Sequence, residues 1–443
     1  MPSNKARPRD ASRGDLPGKA VLYDQEETMG TPRSLRRALM LLVLILVLAL
    51  PACGRIGPPP EPVTIVFACE RGDVAFYEPL AQRFNQENPR ITVQVVGMDS
   101  RRLERDLDDA GVDVLTAAFS LRNLINSGAL LNLDPWISQD DSFAPDDFYP
   151  GLLKLYTYEG KTWAIPSGVD PLVMYYNRDL LERYGAPQPA VSWTWEDMLI
   201  TALTVRDVEA GVYGYAPAFA MLDAMLFAYQ HGGHLVDDWN NPVRTTFDDP
   251  LVIEALEWYS RLFLDEGVAP TPEEAMRAFG GRELAGVNGV VQGKVALWTG
   301  FYSWRGGTSF WPRKWEFRWG MVPLPRDRES ATLMSVEALA IASNTQHPQA
   351  CWQWLAYLSR QMPGRLAPAR RSVAESGEFE RLVGAEIAAA VRASLEHALI
   401  IPPDAPEILS RVGQPWQRAI EQIVSGEATA EEALRAAQQQ VNP

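Results

Sequence analysis

The sequence predicts an α/β protein with a largely parallel sheet covered by helices. Three observations carry this. β-Branched apolar runs at Val63–Ala68, Ile91–Val96 and Val112–Phe119 alternate with stretches of helical periodicity. Strand-like runs recur at Val173–Tyr176, Val295–Trp298 and Ala338–Ala342. Of 443 residues, 47% are hydrophobic and 22% charged, which is enough apolar matter for two or three domains and too much for disorder.

Taken in order, Phe76, Leu80 and Phe84 set a helix that Asn88-Pro89 stops, and Leu103 and Leu107 lie on a second. Thr194-Trp195-Glu196-Asp197 has capping-box form and opens a helix through Met198 and Leu203. Ile253, Leu256, Tyr259, Leu262 and Phe263 form the apolar stripe of a helix from Pro250 to Leu264. Helices over Gln349–Leu358 and Glu427–Gln440 complete the set. Ligands of such sheets sit beyond the carboxyl ends of the strands, which nominates the loops Cys69–Asp73 and Asp113–Arg122.

Residues 1–52 read as an address. Arg33, Arg36 and Arg37 precede thirteen apolar residues, Ala38 to Leu50. That run fits the ~7–15 residues of a secretory signal and falls short of the ~20 that span a bilayer. Its end, Leu50-Pro51-Ala52-Cys53, resembles bacterial lipoprotein signals, in which the cysteine is lipidated and becomes the new N-terminus. Met29 is an alternative start to Met1 and gives a compact basic leader. Residues 53–62 hold four prolines in the nine positions from Gly54, a stiff extended tether. The expected location is the outer face of the cytoplasmic membrane, held by lipid.

The first 52 residues hold eight Lys/Arg and five Asp/Glu of the chain's 41 and 56, so the remaining 391 carry 33 against 51, a net −18. Such a surface repels phosphate backbones and excludes nucleic acid as a partner. Three cysteines are too few for a disulfide scaffold or a four-thiolate zinc site; a Cys69–Cys351 pair stays open. No phosphate loop, dinucleotide turn or nucleophile elbow occurs, and no cofactor is expected. His231 and His234 flank two glycines that read as a tight loop rather than a metal site. Arg71-Gly72-Asp73 matches an adhesion tripeptide at a frequency that chance explains.

All fourteen tryptophans lie beyond residue 130. Trp136, Trp258, Trp352, Trp354 and Trp416 sit on helical or turn patterns and are assigned to packing. Phe301, Tyr302 and Trp304 crowd one turn after a strand, where consecutive rings have no obvious core face to fill. Aromatic faces in a cleft suit ligands with apolar faces and polar rims, such as sugars.

A collinear set of motifs resembles the extracytoplasmic solute-binding lipoproteins of sugar ABC transporters, the maltose-binding-protein-like group. It runs through Val112-Asp113-Val114, Ser127–Leu133, Lys161–Pro166, Met174–Leu180, Trp193–Asp197, Phe247–Pro250, Gly293–Leu297, Pro323-Leu324-Pro325, Pro368–Val373 and the Ala428–Ala437 helix. The resemblance implies a two-lobed periplasmic-binding-protein fold of type II, with ligand in the cleft between lobes. It places an N-terminal lobe at 63–169 plus 337–367 and a C-terminal lobe at 170–336 plus 368–443. Crossings are expected near Ser167–Val173, Met334–Ala338 and Ala367–Ser372. It further implies ligand contacts from Glu70, Asp113, Asp170, Phe301, Tyr302, Trp304, Glu337 and Arg371, with Tyr302 as the stacking ring and Cys53 as the lipidation site. Its implied partners are a sugar or other small polar solute and a membrane permease; the protein itself is expected to be a monomer without enzymatic activity. The rival reading is an exported carbohydrate-active hydrolase with Asp170 and Glu337 as paired carboxylates.

Overall fold

The computed structural model describes residues 61–99, 107, 111–117, 121–217, 219–238, 243–281, 285–308, 311, 313–399 and 406–441. The leader, Cys53 and the tether as far as Pro60 lie outside these residues, as does Leu103 of the second expected helix.

From the N-terminus, β1 (Val63–Glu70), α1 (Val74–Glu87), β2 (Ile91–Met98) and β3 (Val114–Ala117) form the first α/β stretch. The strand β4 (Ala164–Asn177) follows, then α2 (Arg178–Tyr184), α3 (Trp195–Val205), β5 (Tyr213–Ala216), α4 (Ala220–Gln230), α5 (Pro250–Leu264) and β6 (Val295–Phe301). The chain continues through β7 (Trp319–Val322), β8 (Thr332–Ile341), α6 (Pro348–Leu358), β9 (Ala367–Pro368), α7 (Ala385–Glu396), β10 (Ala398–Leu399), α8 (Pro406–Ser425) and α9 (Ala430–Val441). The expected capping box is present: Thr194 Oγ1 accepts from the Asp197 N–H while Asp197 Oδ2 accepts from the Thr194 N–H.

The strands form one sheet in the order β2-β1-β3-β8-β4-β6-β5, with β7 and β9 also pairing with β4 and β10 with β8. Parallel pairing holds at β1–β2, β1–β3, β5–β6 and β8–β10, whereas β3–β8, β8–β4 and β4–β6 are antiparallel. The sheet is therefore mixed rather than largely parallel, because β4 and β8 run against their neighbours through its centre.

β4 is longer than its sequence suggests. Pro166, Gly168 and Pro171 punctuate the run, yet all 14 residues are buried in one strand. Its first part, Ala164–Pro166, pairs with Ala338–Ala340, and its last part, Leu172–Tyr176, with Leu297–Phe301. Between them Gly168–Pro171 faces Met334–Glu337, with a bulge at Glu337/Ala338, and β9 pairs with Gly168 and Val169. All three expected crossing segments thus lie side by side. Gly168 is needed there: a Cβ would stand 2.9 Å from the side chains of both Leu366 and Pro363.

Two apolar clusters bury the faces of this sheet. One gathers Phe67, Leu115, Ile341, Trp354 and Leu355 and continues through Val169 and Val173 to Trp298. The other joins Met198, Tyr215, Phe227, Leu256, Tyr259, Trp416 and Leu434. Trp352, Trp354 and Trp416 are buried, and Trp136 and Trp258 pack against the clusters, as their patterns indicate. Cys69 and Cys351 are both free and buried; Cys69 Sγ lies against the Val96 carbonyl and Cys351 Sγ against the Thr345 hydroxyl.

Candidate functional site

The centre of the sheet brings together groups that are far apart in sequence. Asp170 lies on β4 opposite Ser335 of β8, and Glu337 lies opposite Gly168, which puts both carboxyls on one face of the strand pair. The turn after β6 reaches the same place: the Ser303 N–H donates to Asp170 Oδ1 at 2.8 Å. Tyr175, farther along β4, secures that turn by donating its hydroxyl to the Phe301 carbonyl at 2.8 Å and the Tyr302 carbonyl at 3.2 Å.

Glu337 is held from the other side. Its Oε1 accepts from the Tyr77 hydroxyl of α1 at 2.8 Å and from Ser167 Oγ at 3.1 Å. A cavity of about 100 Å³ opens beside it, lined by Asp73, Phe76, Tyr77, Pro363, Arg365 and Leu366. Arg365 Nε lies 3.6 Å from Asp73 Oδ1, and the Arg365 carbonyl accepts from Arg305 Nη1 at 2.8 Å.

Burial dominates the electrostatics here. Asp170 is 7% exposed, and burial pushes its carboxyl up to about 6 against the opposing hydrogen bond from Ser303 and the charges of Arg365 and Arg305. Burial also raises Glu337, opposed chiefly by the Tyr77 hydrogen bond. Each carboxyl binds a different partner, Asp170 the 302–304 turn and Glu337 the helix α1.

The residues singled out from sequence divide into three groups. Asp170, Glu337 and Tyr302 are brought together, and Glu70 ends β1 exposed, one residue before the Arg71–Asp73 turn. Phe301, Tyr302 and Trp304 do find a core face, contrary to expectation. Tyr302 is 1% exposed under the Arg305 guanidinium, and Trp304 is buried against Phe219, at 5.6 Å between ring centroids, and Trp311, at 6.3 Å. Phe301 and Trp304 meet edge to face at 5.3 Å.

Asp113 and Arg371 stand elsewhere. Asp113 precedes β3, at the strand end opposite the expected ligand side; its Oδ2 accepts from the Val66 N–H at 2.8 Å and its Oδ1 from the Thr345 hydroxyl at 2.5 Å. Its two oxygens are thus engaged by β1 and by the turn that follows β8. Arg371 forms a two-pronged ion pair with Glu396 and lies 4.8 Å over the Tyr149 ring. Its neighbour Arg370 is the buried cation, bonded to Ser359, the Ala144 carbonyl and Asp147 and resting on the Phe148 ring.

Sequence reasoning missed Tyr77, Ser167, Arg305 and Arg365. Asp73 lies within the Cys69–Asp73 loop nominated from strand polarity and lines the cavity beside Glu337. His231 is bracketed by Asp327 at 2.5 Å and Glu254 at 3.1 Å, which occupies both ring nitrogens. A larger depression of about 320 Å³, lined by Trp193, Pro323, Arg326, Thr332 and His397 among others, lies at the start of β8 and includes none of the residues singled out above.

Residues 70–361 match the family described as bacterial extracellular solute-binding protein. A binding protein of Brucella abortus is 24% identical over 204 residues, 44% of this chain and 47% of that one, so the chain spans about half the length of the curated relatives it matches. An arabinooligosaccharide-binding protein of Halalkalibacterium halodurans is 27% identical over 128 residues, 29% of this chain and 28% of that one. Among solved structures, the sugar-binding protein MalE of Xanthomonas citri superposes with a TM-score of 0.69 at 21% identity, covering 86% of this chain and 96% of that one. A cyclic α-maltosyl-1,6-maltose binding protein of Arthrobacter globiformis does so with a TM-score of 0.69 at 21% identity, covering 86% and 98%.

Proposed function

The chain belongs to the bacterial extracellular solute-binding protein family, and from that premise we propose that it captures a sugar or oligosaccharide and delivers it to the permease of an ABC importer. Its fold is the two-lobed α/β fold of such proteins. The observation that carries the sugar reading is the convergence of a buried carboxyl, Asp170, with the aromatic turn 302–304, beside Glu337 and the two arginines 305 and 365. Carboxylates take hydroxyls and ring faces take the apolar faces of a sugar.

The lobes of this reading are 63–169 with 337–367 and 170–336 with 368–443. Solute stabilises the closed form by its differential affinity for it. The receptor turns nothing over, acts as a monomer and is tethered through a lipid on Cys53. Support for the tether is the basic leader, the short apolar run and the cysteine at its end.

A thermal-shift screen against mono- and oligosaccharides tests the proposal, since a ligand at about 100 times its dissociation constant adds about 2.7 kcal/mol to stability. No shift with any saccharide would end the sugar reading. Sustained release of product beyond stoichiometry would transfer it to the hydrolase. Cys53→Ser should release the protein from membranes or leave uncleaved precursor, and an unmodified N-terminus elsewhere by mass spectrometry would remove the tether.

A further inference from the structure

The ring nominated to stack on solute is already covered. Arg305 places its guanidinium carbon 4.1 Å from the centroid of the Tyr302 ring, within the range of a cation–π contact. One nitrogen of that guanidinium makes two hydrogen bonds: Nη1 donates to the Tyr302 carbonyl at 3.2 Å and to the Arg365 carbonyl at 2.8 Å. Arg365 in turn reaches Asp73 at 3.6 Å. Tyr302, Arg305, Arg365 and Asp73 therefore form a chain of contacts from the turn after β6, past the strand β9, to the turn before α1.

We propose that Arg305 is an internal occupant of the solute site, a planar group that lies on Tyr302 where a sugar ring would stack and that solute must displace. This rests on the reading of Tyr302 as a solute contact. A guanidinium is flat and weakly hydrated, so it imitates the face of a sugar ring more closely than any other cationic side chain does. While Arg305 lies on Tyr302 the site is closed to stacking. The affinity measured for solute is then the intrinsic affinity reduced by the fraction of molecules with Arg305 displaced. The same contacts strap the turn after β6 to the segment before β9, so unliganded protein stays more compact than an empty cleft would require. Arg305 thereby sets selectivity: a solute that stacks broadly on Tyr302 displaces it, and one that offers only hydroxyls does not.

The test compares wild type, Arg305→Ala and Arg305→Lys as full chains, with maltose, maltotetraose and an arabinose oligomer as probes in calorimetry and unliganded protein in small-angle scattering. Arg305 is partly exposed, and on its truncation the Tyr302 carbonyl keeps the hydrogen bond from the Tyr175 hydroxyl. Arg305→Ala should bind a responding saccharide about two- to thirtyfold more tightly, the span of one cation–π contact, and should show a larger radius of gyration when unliganded. Arg305→Lys keeps the charge but not the plane and should fall between the two. Weaker binding by Arg305→Ala would make Arg305 a solute contact and overturn the proposal. An unchanged affinity, or an unchanged radius of gyration, would overturn it equally. If no saccharide shifts wild type or variant, the sugar reading fails, and the scattering comparison still decides whether Arg305 straps the turn.

Discussion

Two aspartates in this molecule are both buried, and their surroundings differ. Asp223, on α4, sits in the second apolar cluster with its Oδ2 accepting from the Tyr215 hydroxyl at 2.6 Å and the Thr299 hydroxyl at 2.7 Å. Burial pushes it up to about 7, opposed only by those two hydrogen bonds. Asp170 holds a backbone N–H of the 302–304 turn and feels two arginines, and it stops at about 6. A carboxyl braced by neutral hydroxyls in a closed core serves the fold. A carboxyl held by one backbone N–H and facing two arginines, where β4 meets β8 and β9, is the kind the proposed solute site requires.

The sharpest way to break this comparison is truncation. Asp223→Ala removes the acceptor of two buried hydroxyls and should cost about 2–4 kcal/mol of stability in urea unfolding, with solute affinity intact where the protein folds. At pH 4, where the folded Asp170 carboxyl is protonated, Asp170→Asn keeps an acceptor for the Ser303 N–H, so stability should change by less than about 1 kcal/mol, while affinity for a responding saccharide falls about tenfold or more, the equivalent of about 1.4 kcal/mol. Equal stability losses from the two positions would erase the distinction.

A pH series sharpens it further. Both folded carboxyls bind their proton more tightly than in the unfolded chain, where an aspartate titrates near ~3.9. Their stabilising contribution is thus complete below about pH 4 and is lost as pH rises, through about 6 for Asp170 and about 7 for Asp223. Each group removes about 1.4 kcal/mol per pH unit inside its window. Asp223→Asn should flatten the decline between pH 6 and 7, and Asp170→Asn should leave that upper part in place. A melting temperature flat from pH 4 to 7 in the wild type would contradict both assignments. The smallest effect is expected at Arg371→Gln: a partly exposed pair with Glu396 contributes under about 1 kcal/mol, and affinity should not move.

Most elements were legible because their signals are local. The stripe of α5, the capping box of α3 and the β-branched run of β1 each need only a few neighbouring residues to be seen. β4 was legible only from Val173 onward, because Pro166, Gly168 and Pro171 mark a break in any local reading, and only its pairing with β8, β6 and β9 overrides them. The site shows the same division. Asp170 and Tyr302 could be nominated by strand ends and motif order, whereas Arg305 and Arg365 matter through contacts with residues dozens of positions away. The 301–304 turn was misjudged for a related reason: its packing partners, Phe219 and Trp311 on the Trp304 ring and the Tyr175 hydroxyl on its carbonyls, are not adjacent in sequence.

The uninterrupted strand β4 has a mechanical consequence. A hinge made of loop is slack and stores nothing when bent. Here the halves of the sheet share one 14-residue rod, clamped by β8 at one end and by β6 and β7 at the other. Relative rotation must then appear as torsion along that rod, distributed over Gly168–Pro171 and eased where β8 bulges at Glu337/Ala338. Such a joint behaves as a torsion spring with a preferred angle. Leu366 and Pro363, whose side chains close over the middle of the rod at Gly168, would oppose such torsion.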